Sequence, residues 1–132
     1  RHTVLGSRAL MIPPQTSTIA SHLPKAVGAA YSIGLARRRP PEHKILPDDG
    51  LVMCSFGDAS ANHSTAQGAL NTAAWTAFQS IPLPLMFVCE DNGIGISTKT
   101  PSGWIAANFA NRPGLKDVPR ACRPPVHGRL AI

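Results

Sequence analysis

Two short polar turns hold the residues whose types and spacing could do chemistry: Gly57-Asp58-Ala59-Ser60 and Glu90-Asp91-Asn92-Gly93-Ile94-Gly95-Ile96. Each closes an apolar run, residues 51–56 and 83–90. Asp58 offers a carboxylate oxygen and Asn92 an amide oxygen, and the glycines flanking Ile94 let its main-chain carbonyl turn inward. Three hard oxygens are too few for a calcium cage. They suit Mg²⁺ completed by water and by the oxygens of a bound diphosphate. Gly57 permits a sharp turn, and a helix beginning near residues 60–62 would aim free N–H groups at a phosphate. The residues point to a magnesium–diphosphate ligand.

Each turn alone has a plainer reading. Asp after a strand often caps the next helix, and Asn-Gly is an ordinary turn signal. "GIGIST" has part of the GxGxxG spacing, but its last position is Thr98 and no clear helix follows. A nucleotide- or diphosphate-binding module, or an inactive fragment without catalysis, therefore stands as the alternative function. The specific feature is the pair of turns, in order, with a helical segment between them.

The elements that must position this pair are legible from apolar pattern. Residues 1–21 are irregular, broken by Pro13-Pro14. A helix is expected from Ser21 or His22 to about residue 39, slimmed on one side by Gly28, Ala29, Ala30 and Gly34 for close packing. "LVMCSF" (51–56) is expected as a strand buried on both faces. Residues 60–80 should form a helix whose Leu70, Ala74, Trp75 and Phe78 face the core, and 83–90 a second buried strand. Strand, helix, strand is a crossover unit, so the strands should be parallel and both turns should lie together at their carboxyl ends. Past residue 115 the pattern fails, and an extended or disordered tail is expected. The fold class is α/β, a partial doubly wound parallel sheet, with one incomplete domain over 1–115 and an irregular tail over 116–132.

Bulk properties exclude several classes. A chain of 132 residues with 43% hydrophobic content has room for one core. No apolar stretch spans a bilayer, since Pro82 and Pro84 interrupt the best candidate. Cys54, Cys89 and Cys122 form no CxxC pair, and the first two fall in expected strands, which suits buried thiols in a reducing compartment. The cytoplasm is favoured over a mitochondrial matrix. The net charge of +6 is not arranged for nucleic acid. Arg37, Arg38 and Arg39 end a helix, and the basic tail has no aromatic side chain for stacking on bases.

"GDAS…EDN" resembles the thiamine-diphosphate motif, which usually begins GDG and ends NN. With "PQTSTIASHLPKAVGAAYS" and "EDNGIGISTKTPSGW", the sequence over roughly 2–115 resembles the alpha subunit of the decarboxylating component of 2-oxoacid dehydrogenase complexes, the branched-chain (2-oxoisovalerate) type above all. That resemblance implies a sheet of the thiamine-diphosphate-binding type. Mg²⁺ would be held by Asp58, Asn92 and the Ile94 carbonyl, and the diphosphate cradled by Gly57, Ala59 and Ser60. Ser17, Ile19, Glu90 and Ile96 would line the cofactor, and Ser21 and His22 match a potassium site of some members. It further implies a 2-oxoacid substrate, a beta subunit or domain, and a lipoyl-bearing acyltransferase. Ala59 replaces the second glycine of the motif, Asp91 its first asparagine, and Ile94 a frequent tyrosine. The activating glutamate belongs to the beta partner, and the family's downstream histidine has no match here; His127, in the tail, is not assigned that role. No catalytic residue is therefore expected in this chain. The resemblance ends abruptly after Leu115, as a truncation or a change of reading frame would cause.

Overall fold

The computed structural model describes residues 5–43, 47–109, 112–115 and 129–131. A short antiparallel hairpin, β1 (Leu5–Ser7) and β2 (Ile12–Gln15), leads into helix α1 (His22–Ala36). A single 3-10 turn at Pro41–His43 follows, then strand β3 (Val52–Gly57), a second 3-10 turn (Asp58–Asn62), helix α2 (Ser64–Phe78) and strand β4 (Leu85–Asp91). Beyond it lie a two-residue hairpin, β5 (Ile94–Gly95) and β6 (Thr98–Lys99), helix α3 (Trp104–Phe109) and strand β7 (Arg129–Ala131).

The central sheet has the order β3-β4-β7. β3 and β4 are parallel as the crossover requires, in register from Val52 opposite Leu85 to Gly57 opposite Glu90. β7 joins β4 antiparallel, pairing Cys89 with Ala131 and Asp91 with Arg129. The remaining tail, with Cys122 and His127, lies outside the described residues.

One core forms where α1 and α2 meet the inner side of the parallel pair. Leu23 and Leu70 are fully buried in it beside Cys54, Phe56, Phe87 and Cys89. Burying each leucine contributes about 1.5–3 kcal/mol. Phe56 and Phe87 meet edge to face with centroids 6.1 Å apart, the arrangement aromatic quadrupoles prefer. Gly34 shows the expected close approach, since a Cβ there would lie 2.6 Å from the Pro82 carbonyl oxygen; Gly28 faces open space instead.

Four expectations are corrected. β3 is buried on one face only: Cys54 and Phe56 point inward, while Met53 and Ser55 are exposed. α1 stops at Ala36, and the arginines continue as a turn in which the Arg37 side chain donates to the Asp48 carbonyl. The second helix is divided. Residues 58–62 make a 3-10 turn, and α2 begins only at Ser64, where the His63 ring accepts the Thr65 N–H at 3.2 Å. Finally, Trp75 and Phe78 do not enter the core; Trp75 is 68% exposed. The inner face of α2 is instead Ala66, Ala69, Leu70, Ala73, Ala74 and Thr76, mostly small side chains, and α2 packs against α1. Among the described residues no helix is long and apolar enough to cross a membrane.

Candidate cofactor site

Parallel register places the ends of β3 and β4 level, so the turns after Gly57 and Asp91 adjoin. Asp58 is the centre of that junction and is only 1% exposed. A buried carboxylate must be hydrogen-bonded or paired. Its Oδ2 accepts the Gly93 N–H at 3.1 Å and the Thr100 hydroxyl, and among the described residues no hydrogen bond reaches Oδ1. Thr100 also donates its own N–H to the Gly93 carbonyl at 3.1 Å, which closes the base of the β5–β6 hairpin.

The second turn is built on Gly93, whose φ of +76° is costly for any residue with a Cβ. The Asn92 Oδ1 accepts the Ile94 N–H at 2.9 Å, the side-chain turn expected of Asx residues. An amide oxygen has two lone pairs, so this bond leaves one for a cation. The glycine pair leads into the β5–β6 hairpin, not a helix, which sets it apart from a dinucleotide-binding fingerprint.

Ala59 proves compatible with the first turn. It is not among the residues with positive φ, and its methyl faces Gly95, where an added Cβ would lie only 2.8 Å away. Gly57 has an extended backbone, φ −81° and ψ 153°, so the turn does not demand glycine there. A Cβ at Gly57 would meet nothing within 4 Å; the space above the strand end is open.

The other expected residues are dispersed around this junction. Ser60 is half-buried in the 3-10 turn, and its carbonyl accepts the His63 N–H. Glu90 is exposed, as are Ile94 and Ile96, the latter at 88%. Ser17 and Ile19 sit on the exposed turn before α1, next to Ala20, a buried residue at φ 62°. Among the described residues no hydrogen bond joins them to Asp58. The Ser21 hydroxyl pairs with Thr16 at 2.8 Å, and the His22 Nε2 with the Ser55 carbonyl at 2.9 Å.

Sequence reasoning missed three supports. Thr100 is one, because nothing in "STKT" marks which hydroxyl will turn inward. The others are Gln67 and Arg112: the Gln67 amide donates to the Ala61 carbonyl of the 3-10 turn, and Arg112 donates to Gln67 and to Asn108. Arg112 also lies over the Phe109 ring. Only a contact map could have joined residues so far apart in sequence.

The electrostatics of the junction are negative. The Cys89 thiol is pushed up to about 12, by burial first and then by Asp91, Asp58 and Glu90. Three acids that disfavour a thiolate equally disfavour a diphosphate and favour a cation. Among the described residues no group of three or more His, Cys, Asp or Glu could hold a metal, so a cation here would depend on amide, carbonyl and ligand oxygens.

A parallel β-α-β unit with a buried aspartate at one strand end and an Asn-Gly turn at the other places the chain in the α/β class. The sequence model of the "Dehydrogenase E1 component" family matches residues 3–120. The chain belongs to that family. It is similar to "2-oxoisovalerate dehydrogenase subunit alpha 2, mitochondrial" of Arabidopsis thaliana, 35% identical over 95 residues that cover 72% of this chain and 17% of that relative. The Mus musculus "2-oxoisovalerate dehydrogenase subunit alpha, mitochondrial" is 34% identical over 97 residues, 74% of this chain and 19% of the relative. The Dictyostelium discoideum protein of the same name is 26% identical over 117 residues, 86% and 23%. The chain thus spans about a fifth of the length of the relatives it matches.

Proposed function

We propose that this chain carries the magnesium and diphosphate half of a thiamine-diphosphate site in a 2-oxoacid dehydrogenase, of branched-chain type, completed by a beta subunit. The observation that carries the reading is the buried Asp58 carboxylate, held at one oxygen by Gly93 and Thr100 where the two turns meet. The residues fit the group. Asp58 would give Mg²⁺ one carboxylate oxygen, Asn92 its second amide lone pair, and Ile94 its carbonyl, leaving positions for water and diphosphate oxygens. Gly57, Ala59 and Ser60 would border the diphosphate, and Ser17, Ile19, Glu90 and Ile96 the rest of the cofactor.

Bound thiamine diphosphate supplies the nucleophilic carbon for decarboxylation of a 2-oxoacid, with the acyl unit passed to a lipoyl carrier; the protein supplies position and charge. This chain's contribution is binding and orientation. Asp58 fixes the cation, the Asn92 turn presents the Ile94 carbonyl, and the Ala59–Gly95 contact holds the two turns together. The Ser21 hydroxyl is paired with Thr16 and the His22 ring with the Ser55 carbonyl, and the Lys25 ammonium, which lines the same cavity as His22, donates to the Pro14 carbonyl at 3.0 Å. The compartment would be a cytoplasm or a mitochondrial matrix, either of which keeps the buried, unpaired Cys54 and Cys89 reduced.

Calorimetric titration of thiamine diphosphate, with and without Mg²⁺, tests the reading on this chain and on Asp58→Ala. Binding that needs Mg²⁺ and vanishes in the variant is expected, with no turnover of a 2-oxoacid by the chain alone. Failure of the folded chain to bind even with a 2-oxoisovalerate dehydrogenase beta subunit would overturn it. Preference for NAD or ATP over thiamine diphosphate would establish the nucleotide-module alternative.

A further inference from the structure

We propose that Thr100 is a positioning residue for the cation: its hydroxyl bond to Asp58 Oδ2 sets the plane of that carboxylate and so aims Oδ1 at the ion. The inference rests on the magnesium reading above, and deepens it with a residue to which neither turn motif extends.

A carboxylate on a short side chain can rotate about its last bond, and a cation site needs one of its oxygens fixed. Two donors on the same oxygen, the Gly93 N–H and the Thr100 hydroxyl, restrict that rotation and leave Oδ1 as the oxygen without a hydrogen bond among the described residues. A hydroxyl donating to an ionised carboxylate is among the stronger hydrogen bonds. Thr100 has a second hold on the same structure, since its N–H bonds the Gly93 carbonyl. Gly93 in turn stands beside Asn92 and Ile94, the other two oxygen donors. One residue therefore sets both the orientation of Asp58 and its spacing from the second turn. Partners that orient a metal ligand in this way typically contribute 10–100-fold to metal affinity.

The alternative is that Thr100 only stabilises the hairpin. Valine has the shape of threonine without the hydroxyl, and serine keeps the hydroxyl without the methyl, so Thr100→Val and Thr100→Ser separate the two roles. Mg²⁺ is titrated at fixed thiamine diphosphate under conditions where the unmodified chain binds, and far-UV circular dichroism checks the fold of each variant. The half-saturating Mg²⁺ concentration should rise about tenfold or more in Thr100→Val. It should stay within about threefold in Thr100→Ser, and excess Mg²⁺ should restore cofactor binding to the valine variant. Equal Mg²⁺ dependence in Thr100→Val and the unmodified chain would overturn the inference while leaving the magnesium reading intact. So would a binding defect that excess Mg²⁺ does not repair. Mg²⁺-independent behaviour of the unmodified chain would overturn both. Amide hydrogen exchange in the unmodified chain keeps the test open should the valine variant fail to fold. Slower exchange at Gly93 and Thr100 on Mg²⁺ saturation is expected, and unchanged exchange counts against the inference.

Discussion

Ala59 and Gly95 show how one side chain can be tolerated because another is missing. In sequence, Ala59 stands out as a departure from a Gly-Asp-Gly beginning, and only its φ could be questioned. The structure adds that the methyl occupies the space Gly95 leaves. That complement was not legible, because a side-chain contact between two turns is fixed by the parallel register and not by either motif. Gly95→Ala should destabilise the chain by about 1–3 kcal/mol through overpacking. Adding Ala59→Gly should recover part of the loss, since Thr98 also crowds the new methyl, a coupling that a double-mutant cycle by urea unfolding would measure. The buried thiols give a second prediction at this scale. Burial raises Cys54 from 9.0 to about 11 and, with the neighbouring acids, Cys89 to about 12. Both folded values lie above the unfolded one. Their contribution is therefore complete below about pH 9 and is lost as pH climbs from there towards 11–12. Urea midpoints should fall across that window, and neither thiol should react with a thiol reagent at pH 8 until the chain unfolds.

At the scale of the element, α2 teaches most. Its helical character, its place between two strands and the parallel pairing it enforces were all legible from apolar runs and punctuation. Its facing was not. The reading by residue size turned Trp75 and Phe78 inward, whereas the buried face is mostly alanine with Leu70 as its one large side chain. An alanine-rich helix has a weak apolar period, so periodicity alone could not choose the side. α2 starts only at Ser64 and leaves residues 58–62 as a tight turn, held by Gln67, which Arg112 in turn holds. Leu70→Ala should cost about 2–5 kcal/mol. Trp75→Ser should change the stability of the isolated chain by less than about 0.5 kcal/mol. If the exposed face of α2 docks on a partner subunit, Trp75 emission should shift to the blue on association. An unchanged spectrum in a demonstrated complex would place the interface elsewhere.

For the whole molecule, the α/β class and the meeting of the two turns at level strand ends were legible in the sequence, but not how much of the sheet stays uncovered. The exposed face of β3 carries Met53, and beside it a cavity of about 740 Å³ runs between β3, the β1–β2 hairpin and α1, lined by Met11, Ile12, Ile33 and Leu51. Met53, Met11, Leu51 and Ile12 are all exposed, so apolar side chains face solvent on this side. We expect the purified chain to bind a hydrophobic dye and to self-associate as its concentration rises. Co-expression with a 2-oxoisovalerate dehydrogenase beta subunit should suppress both. Dye binding and sedimentation would check this, and a monodisperse, dye-silent chain would contradict it.

The bonds from Asp58 to Gly93 and Thr100 cross 35 and 42 positions of sequence, and that distance has a meaning in time. A chain made from its amino end exposes β3 and the aspartate well before β4 and the hairpin exist. Until Thr100 has emerged and docked, the carboxylate lacks the partners that let it be buried, and contacts of this span form late. Only a chain that has completed the crossover and the hairpin can therefore hold its aspartate still.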